Sequence, residues 1–309
     1  MNSVRASAPA TVANVCCGFD VLGFAVESPA DEVVVSLRNE TGIMIKSISG
    51  DNGRLPSDPL KNTASVAVQS YLNRMGSSQG VEIELIKKLP LGSGMGSSAA
   101  SAVAALIAIN HLMGNPLSRK ELIVHAMEAE RIACGSAHAD NVAPSLLGGF
   151  VLIRSYEPLD VINVSSPEEL YCTLIHPHLE LKTEDSRKVL KSTVSLSDAV
   201  SQSGNIAALM IGLMQQNYAL IGRSLFDVIA EPTRSVFIPG FNEIRKKVID
   251  AGALGFGISG SGPTVFALSS NQLSAEQAGK VAAEHFMKMN LPAEIYISKV
   301  NQEGAKILS

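Results

Sequence analysis

Leu89-Pro90-Leu91-Gly92-Ser93-Gly94-Met95-Gly96-Ser97-Ser98-Ala99-Ala100 decides how this chain is read. It is a glycine-rich turn followed by paired serines, and it opens into an alanine-rich run. Just ahead of it, Val81 to Ile86 alternates apolar and polar residues as a half-buried strand does. The glycines therefore sit where a strand hands over to a helix. There the backbone can approach an anion closely, and unpaired helix N–H groups point at it. Such a turn suits a polyphosphate. It is not a Walker A loop, because Ser97 and Ser98 rather than Lys and Ser/Thr follow Gly96. A Rossmann fingerprint expects an acidic residue about 20 positions on, where this chain has Asn115-Pro116-Leu117-Ser118 and a new helix start. Protein-kinase signatures are absent. The plain alternative is a tight turn with Ser97 or Ser98 as a helix cap.

Three stretches, taken together, give the turn its context. Pro90, Gly94, Gly96, Ser97, Ser98, Ala99 and Ala100 match the phosphate-loop motif of the GHMP small-molecule kinases. Ala8 to Gly23 resembles the first motif of that family, and Gly257-Ile258-Ser259-Gly260-Ser261-Gly262-Pro263-Thr264 resembles the third. Within the family, Ala13-Asn14, Gly18-Phe19-Asp20, His138 to Pro144 and Ala230-Glu231-Pro232-Thr233-Arg234 are most similar to the homoserine kinases. Cys16-Cys17 and Lys191 depart from the usual pattern, and neither falls on a residue assigned to chemistry. The resemblance implies an α+β fold of two domains. A ribosomal-S5-like N-terminal domain (1–160) would carry the phosphate loop, a ferredoxin-like C-terminal domain (161–309) would follow, and the active site would lie between them.

Composition agrees with a two-domain globular chain. Its 309 residues are long for one core, 46% are hydrophobic and 17% charged. A net charge of −4, with no run of Lys and Arg, argues against a nucleic-acid surface. The four cysteines form no Cys-x-x-Cys pair, and Cys16 and Cys17 are adjacent while Cys134 and Cys172 stand far off. A reduced, cytoplasmic setting is expected. No signal peptide is read at the N-terminus, and the uncharged stretches from Gly94 and from Ala251 are too polar or too rich in turns to span a membrane.

Strands are expected over Val33–Leu37, Ile43–Ile48, Val81–Ile86 and from Phe150. Helices are expected over Asn62–Met75, after Ser98, and over Glu121–Cys134, ending at Gly135. In the second half the pattern predicts strands at Leu170–His176, Phe256–Ser259, Thr264–Ser269 and Ala293–Lys299. Its helices fall at Asn205–Gln216, Tyr218–Ile229, Asn242–Ala251 and Ala275–Met289.

The family resemblance implies ATP and Mg²⁺. The loop from Pro90 to Ala100, which includes Leu91, Gly92, Ser93 and Met95, would supply backbone donors to the phosphates. Ser98 and Glu130 would hold the metal, although alone Glu130 reads as a solvated helix carboxylate beside Arg131 and Glu128. Asn62 is a candidate for the adenine border and equally a plain N-cap. L-Homoserine, the implied substrate, is a zwitterion bearing a primary alcohol. Its carboxylate suits guanidinium groups, for which Arg187 and Arg234 are the candidates, with His138 as a further donor. Asn14, Asp20, Asp140 and Asn141 are candidates for the ammonium and hydroxyl, Asp140 and Asn141 nearest the chemistry. Surface ion pairs and local turn bonding are the ordinary fates of such residues. Ser259 to Pro263 is expected to pack on the phosphate loop and close the site. Family members are often dimers, which leaves a homodimer open. A kinase of shikimate or of an isoprenoid precursor, and a ligand-sensing regulator on the same fold, are the alternatives.

Overall fold

The computed structural model describes residues 2–135, 137–181 and 183–308. The first half contains β1 (Ser3–Ala13), β2 (Leu22–Arg38), β3 (Ile43–Ser49), α1 (Thr63–Arg74), β4 (Gly80–Ile86), α2 (Ser97–Leu112), α3 (Arg119–Cys134), α4 (Val142–Leu147), β5 (Phe150–Tyr156) and β6 (Leu159–Val164). The second contains β7 (Tyr171–Pro177), α5 (Thr183–Lys188), α6 (Leu196–Met214), α7 (Tyr218–Ser224), α8 (Glu231–Arg234), α9 (Phe241–Asp250), β8 (Gly255–Ile258), β9 (Val265–Ser269), α10 (Gln272–Lys288), β10 (Ala293–Lys299) and β11 (Lys306–Leu308).

The first sheet runs β11-β1-β2-β4-β3, and β5 joins it through β2 and carries β6. It therefore continues to Val164 and takes back the end of the chain through β11. The second sheet has the order β10-β7-β9-β8, with antiparallel pairs throughout. A strand, helices, two strands, a helix and a strand along the chain, laid out in that sheet order, make the ferredoxin-like topology that the resemblance implies.

α2 is the central helix. Ala99 through Ala108 are all buried, because a helix apolar on every side must be covered on every side. The sheet strands β1 and β2 and the helices α1 and α3 provide that cover. Phe24 joins the halves, stacking on Phe150 at 4.6 Å and meeting Phe266 edge-on at 6.0 Å. α3 opens with a reciprocal cap between Ser118 and Glu121 and ends at Gly135 in a left-handed conformation, as expected. α6 begins earlier than its periodicity indicates, at Leu196, with Ser195 as its cap. α7 stops at Ser224 rather than reaching Ile229. Beyond it the Asp227 carboxylate accepts from the backbone N–H groups of Ile229, Ala230 and Glu231, a local bonding pattern that competes with helix. Cys16, Cys17 and Cys172 are buried free thiols, and the Cys134 side chain lies outside the described residues. Among the described residues no helix is long and apolar enough to cross a membrane.

One buried ion pair fixes the end of β4 against the start of α2. Lys87 donates to the Asp31 carboxylate of β2, to the Ser97 carbonyl at 2.9 Å and to Ser101 Oγ at 2.7 Å. Asp31 also accepts from the backbone N–H groups of Lys88 and Leu89 at 2.8 and 3.0 Å. Both side chains are almost inaccessible, and burial holds the Lys87 ammonium below its usual pKa. Removing one partner strands a buried charge, which costs about 3–5 kcal/mol. Asp31→Ala should lose stability of that order in urea unfolding, and Lys87→Met added to it should recover most of the loss.

Candidate active site

The turn between β4 and α2 has the backbone its sequence indicates. Gly94 and Gly96 take φ of 81° and 70°, conformations that L side chains rarely adopt. Gly96 occupies the N-cap of α2 and no side chain caps the helix, so the reading of Ser97 or Ser98 as the cap does not hold. The helix N–H groups are left facing a cavity of about 400 Å³. Space is also closed to any side chain. A Cβ on Gly94 would stand 2.4 Å from the Ser259 carbonyl oxygen, and one on Gly96 2.1 Å from Thr11 Oγ1. The third motif clasps the loop from the other half: Ser259 Oγ donates to the Gly94 carbonyl at 2.8 Å and Thr264 N–H to the Ser93 carbonyl at 3.1 Å.

Leu91, Gly92, Ser93, Gly94, Gly96, Ser97 and Ser98 line the cavity. Pro90, Met95, Ala99 and Ala100 do not; Met95, Ala99 and Ala100 are core residues. Ser98 Oγ donates to Glu130 Oε1 at 2.6 Å, which brings the two candidate metal ligands together from α2 and α3. Among the described residues no three His, Cys, Asp or Glu side chains gather as a metal cluster. The Ser98–Glu130 pair fits a hard cation that takes most of its ligands from phosphate and water. Asn62 caps α1 by accepting from Ala64 N–H at 3.1 Å and donates to the Pro56 carbonyl at 3.0 Å, so its amide shapes the 56–62 loop at the cavity edge.

Across the same cavity stand Asn14, Asp20, His138, Asp140, Asn141, Arg187 and Arg234. Asn14 and Asp20 have positive φ, 71° and 58°. Asn14 Oδ1 accepts from Asp20 N–H at 3.0 Å and its Nδ2 donates to the Gly260 carbonyl at 2.8 Å, which ties the first motif to the third. Arg187 pairs with Asp20 through both Nη atoms, at 3.2 and 3.0 Å. Among the described residues its Nε is buried without a hydrogen-bond partner, as is His138 Nε2. Arg234 is buried, with Nε on the Ser186 carbonyl and Nη1 on the Gly260 carbonyl, both at 3.1 Å. Burial, with Arg187 nearby, lowers its pKa. Asn141 accepts from Thr11 Oγ1 at 2.7 Å, which sets it beneath Gly96. Burial raises the Asp140 carboxyl to about 7, the charges of Asp20 and Glu130 add to the rise, and Arg187 opposes it. Burial lowers the His138 pKa and Asp20 pulls it back.

Several residues that organise the site carry no local signal. Asp31 and Lys87 meet across 56 positions. Tyr156 donates to the Asp20 carbonyl at 2.9 Å and accepts from Ala139 N–H at 3.3 Å, joining the two acidic segments. Gln202 donates to Asp227 Oδ1 at 3.0 Å and to the Cys17 carbonyl at 2.9 Å, which links the α8 loop to the first motif.

The family models of the GHMP kinase N-terminal and C-terminal domains match residues 62–149 and 206–287. A homoserine kinase of Chlorobium phaeobacteroides is 52% identical over the full length of both chains. The chain belongs to the GHMP kinases, in their homoserine kinase branch. A homoserine kinase of Xylella fastidiosa is 38% identical, over 99% of this chain and 94% of its own. The crystal structure of homoserine kinase from Cytophaga hutchinsonii superposes with a TM-score of 0.97 at 55% identity, over 100% of this chain and 98% of that one. The GHMP likeness extends, as fold alone, to the mevalonate kinase of Methanococcus jannaschii, with a TM-score of 0.71 at 14% identity.

Gly96→Ala tests the loop. A methyl group at a left-handed position, within 2.1 Å of Thr11 Oγ1, forces the GHMP loop off its helix. Nucleotide affinity, measured by calorimetry, should fall at least about tenfold, because the donors lose their aim. Affinity for the second substrate should change much less.

Proposed function

We propose that this protein transfers the terminal phosphoryl group of ATP to the side-chain hydroxyl of L-homoserine, giving O-phospho-L-homoserine and ADP, in a reduced cytoplasm and on the way to threonine. One observation carries the reading. An uncapped helix N-terminus and a paired set of guanidiniums and carboxylates, Arg187 and Arg234 with Asp20 and Asp140, line one cavity. The first suits a polyphosphate and the second a zwitterionic amino acid. Shikimate and isoprenoid precursors have no ammonium, and they need no such pairing.

In this reading the N–H groups of the Gly92–Ser98 turn hold the phosphates, and Asn62 with the 56–62 loop borders the adenine. Ser98 and Glu130 would hold Mg²⁺, which supplies charge neutralisation to the phosphates when bound. Arg187 and Arg234 take the amino-acid carboxylate, with His138 Nε2 as a further polar contact. Asn14, Asp20 and Asp140 face the ammonium and hydroxyl, and Asn141 keeps the loop in register with them. The homoserine oxygen bonds to phosphorus as the bond to ADP breaks, and the hydroxyl proton passes to the transferred phosphoryl group. A loose transition state asks little activation of the alcohol. Asp140 therefore orients the substrate. A second reading makes it the general base, and its carboxyl near pH 7 favours that one.

An ADP-release assay over homoserine, serine, threonine, shikimate and mevalonate tests the reaction. Homoserine should be the best acceptor, and turnover of shikimate or mevalonate without homoserine would refute the reading. Asp140→Asn separates the two roles: it should raise KM for homoserine at least as much as it lowers kcat. A fall in kcat at unchanged homoserine affinity makes Asp140 the base.

pH gives a further check. Asp140 is protonated in the folded protein up to about pH 7 but in the unfolded chain only below about 4. The folded state thus binds the extra proton in that window, and Asp140 makes stability fall as pH rises through it. Between pH 5 and pH 8 the ligand-free protein should lose more melting temperature than Asp140→Asn does.

A further inference from the structure

Phe19 lies against both arginines and takes no part in the site as described so far. The Arg234 guanidinium lies 5.1 Å from its ring centroid and the Arg187 guanidinium 6.0 Å. Both distances are within the range of a cation–π contact. The arginines line the active cavity, whereas Phe19 lines a neighbouring cavity of about 290 Å³ with Leu190, Val194, Val228, Ile229 and Pro232. The ring is half-buried and stands outside both hydrophobic cores. Filling the interior does not account for it.

The arginines need a third support. Asp20 holds the Nη atoms of Arg187, and among the described residues its Nε has no hydrogen-bond partner. Two carbonyls hold Arg234, and the Arg187 charge opposes its own. Two like charges brought close, with the Asp20 carboxylate paired to Arg187, drift apart unless a surface favours both. An aromatic face offers that surface without taking up a hydrogen-bond donor, so the donors stay available to a ligand carboxylate.

We infer that Phe19 is a specificity-determining positioning residue. Its ring holds Arg187 and Arg234 in register for a carboxylate, and so it separates an amino-acid acceptor from the same amino alcohol without the carboxylate. The inference rests on the reading of Arg187 and Arg234 as the carboxylate site.

The experiment is calorimetric binding of L-homoserine and of propanolamine, which is homoserine lacking its carboxylate, in the presence of a non-hydrolysable ATP analogue. Phe19→Leu keeps an apolar side chain and removes the aromatic face. It should weaken homoserine about tenfold, because the arginines lose the surface that keeps them in register, and leave propanolamine and nucleotide affinity within about twofold. Phe19→Tyr should restore discrimination. If Phe19→Leu leaves the homoserine-to-propanolamine ratio unchanged, or weakens nucleotide binding equally, the inference is overturned. Arg234→Met distinguishes the two levels. If it collapses the ratio while Phe19→Leu does not, only the role of Phe19 fails. If neither variant moves the ratio, the carboxylate site itself is wrong.

Discussion

Two glycines with no room for a Cβ hold the site together. Gly94 is wedged against the backbone of Ser259 and Gly262, and Gly96 against Thr11 and Asn141. The loop between β4 and α2 thus touches β1, the 138–141 segment and the third motif at once. Those contacts come from both halves of the chain, so the N–H groups at the start of α2 acquire their aim only when the halves dock. Asp31 and Lys87 secure the loop from below, where Lys87 grips the Ser97 carbonyl and leaves the N–H groups of the first turn pointing outward. A helix start held by its carbonyl side from within, and by glycine contacts from without, is preorganised for an anion.

What could be seen in the sequence follows from the range of the interactions. Glycine punctuation and local periodicity located β4, the loop, α2, α3 and the second-half strands, because each is decided by residues within a few positions of one another. β1 was invisible for the opposite reason. Ser3–Ala13 carries four alanines and a proline, residues of low strand propensity, and it is a strand because β2 and β11 pair with it on either side. β11 itself is three residues long, and its partner lies some three hundred positions away. α7 ends before its periodicity does because Asp227 turns its carboxylate back onto the chain, an event that periodicity does not register.

The site shows the same division. The candidates drawn from the motifs come to one cavity, as Asn14, Asp20, His138, Asp140, Arg187 and Arg234 do. The groups that position them were not legible. Tyr156 is an aromatic residue at a strand end and Gln202 lies mid-helix; nothing around either announces a partner. Their roles exist only in the folded geometry, where a hydroxyl reaches the Asp20 carbonyl and an amide reaches Cys17.

The electrostatics of the cavity bear on what it can hold. Asp140 feels the charges of Asp20 and Glu130, and Arg234 feels that of Arg187. Like charges are thus crowded at both ends, and the Arg187–Asp20 pair is the bridge between them. A protein built only for stability separates such groups or neutralises them. A ligand that brings one cation to the carboxylates and one anion to the guanidiniums relieves both ends in a single event, whereas an uncharged alcohol relieves neither. On the proposed assignment of these residues, a zwitterion is favoured because it meets both ends at once. Burial is the first cause of the raised Asp140 carboxyl and of the lowered Arg234 guanidinium, and the like charges beside each add to it, so a ligand that neutralises those neighbours acts on the smaller part of either shift.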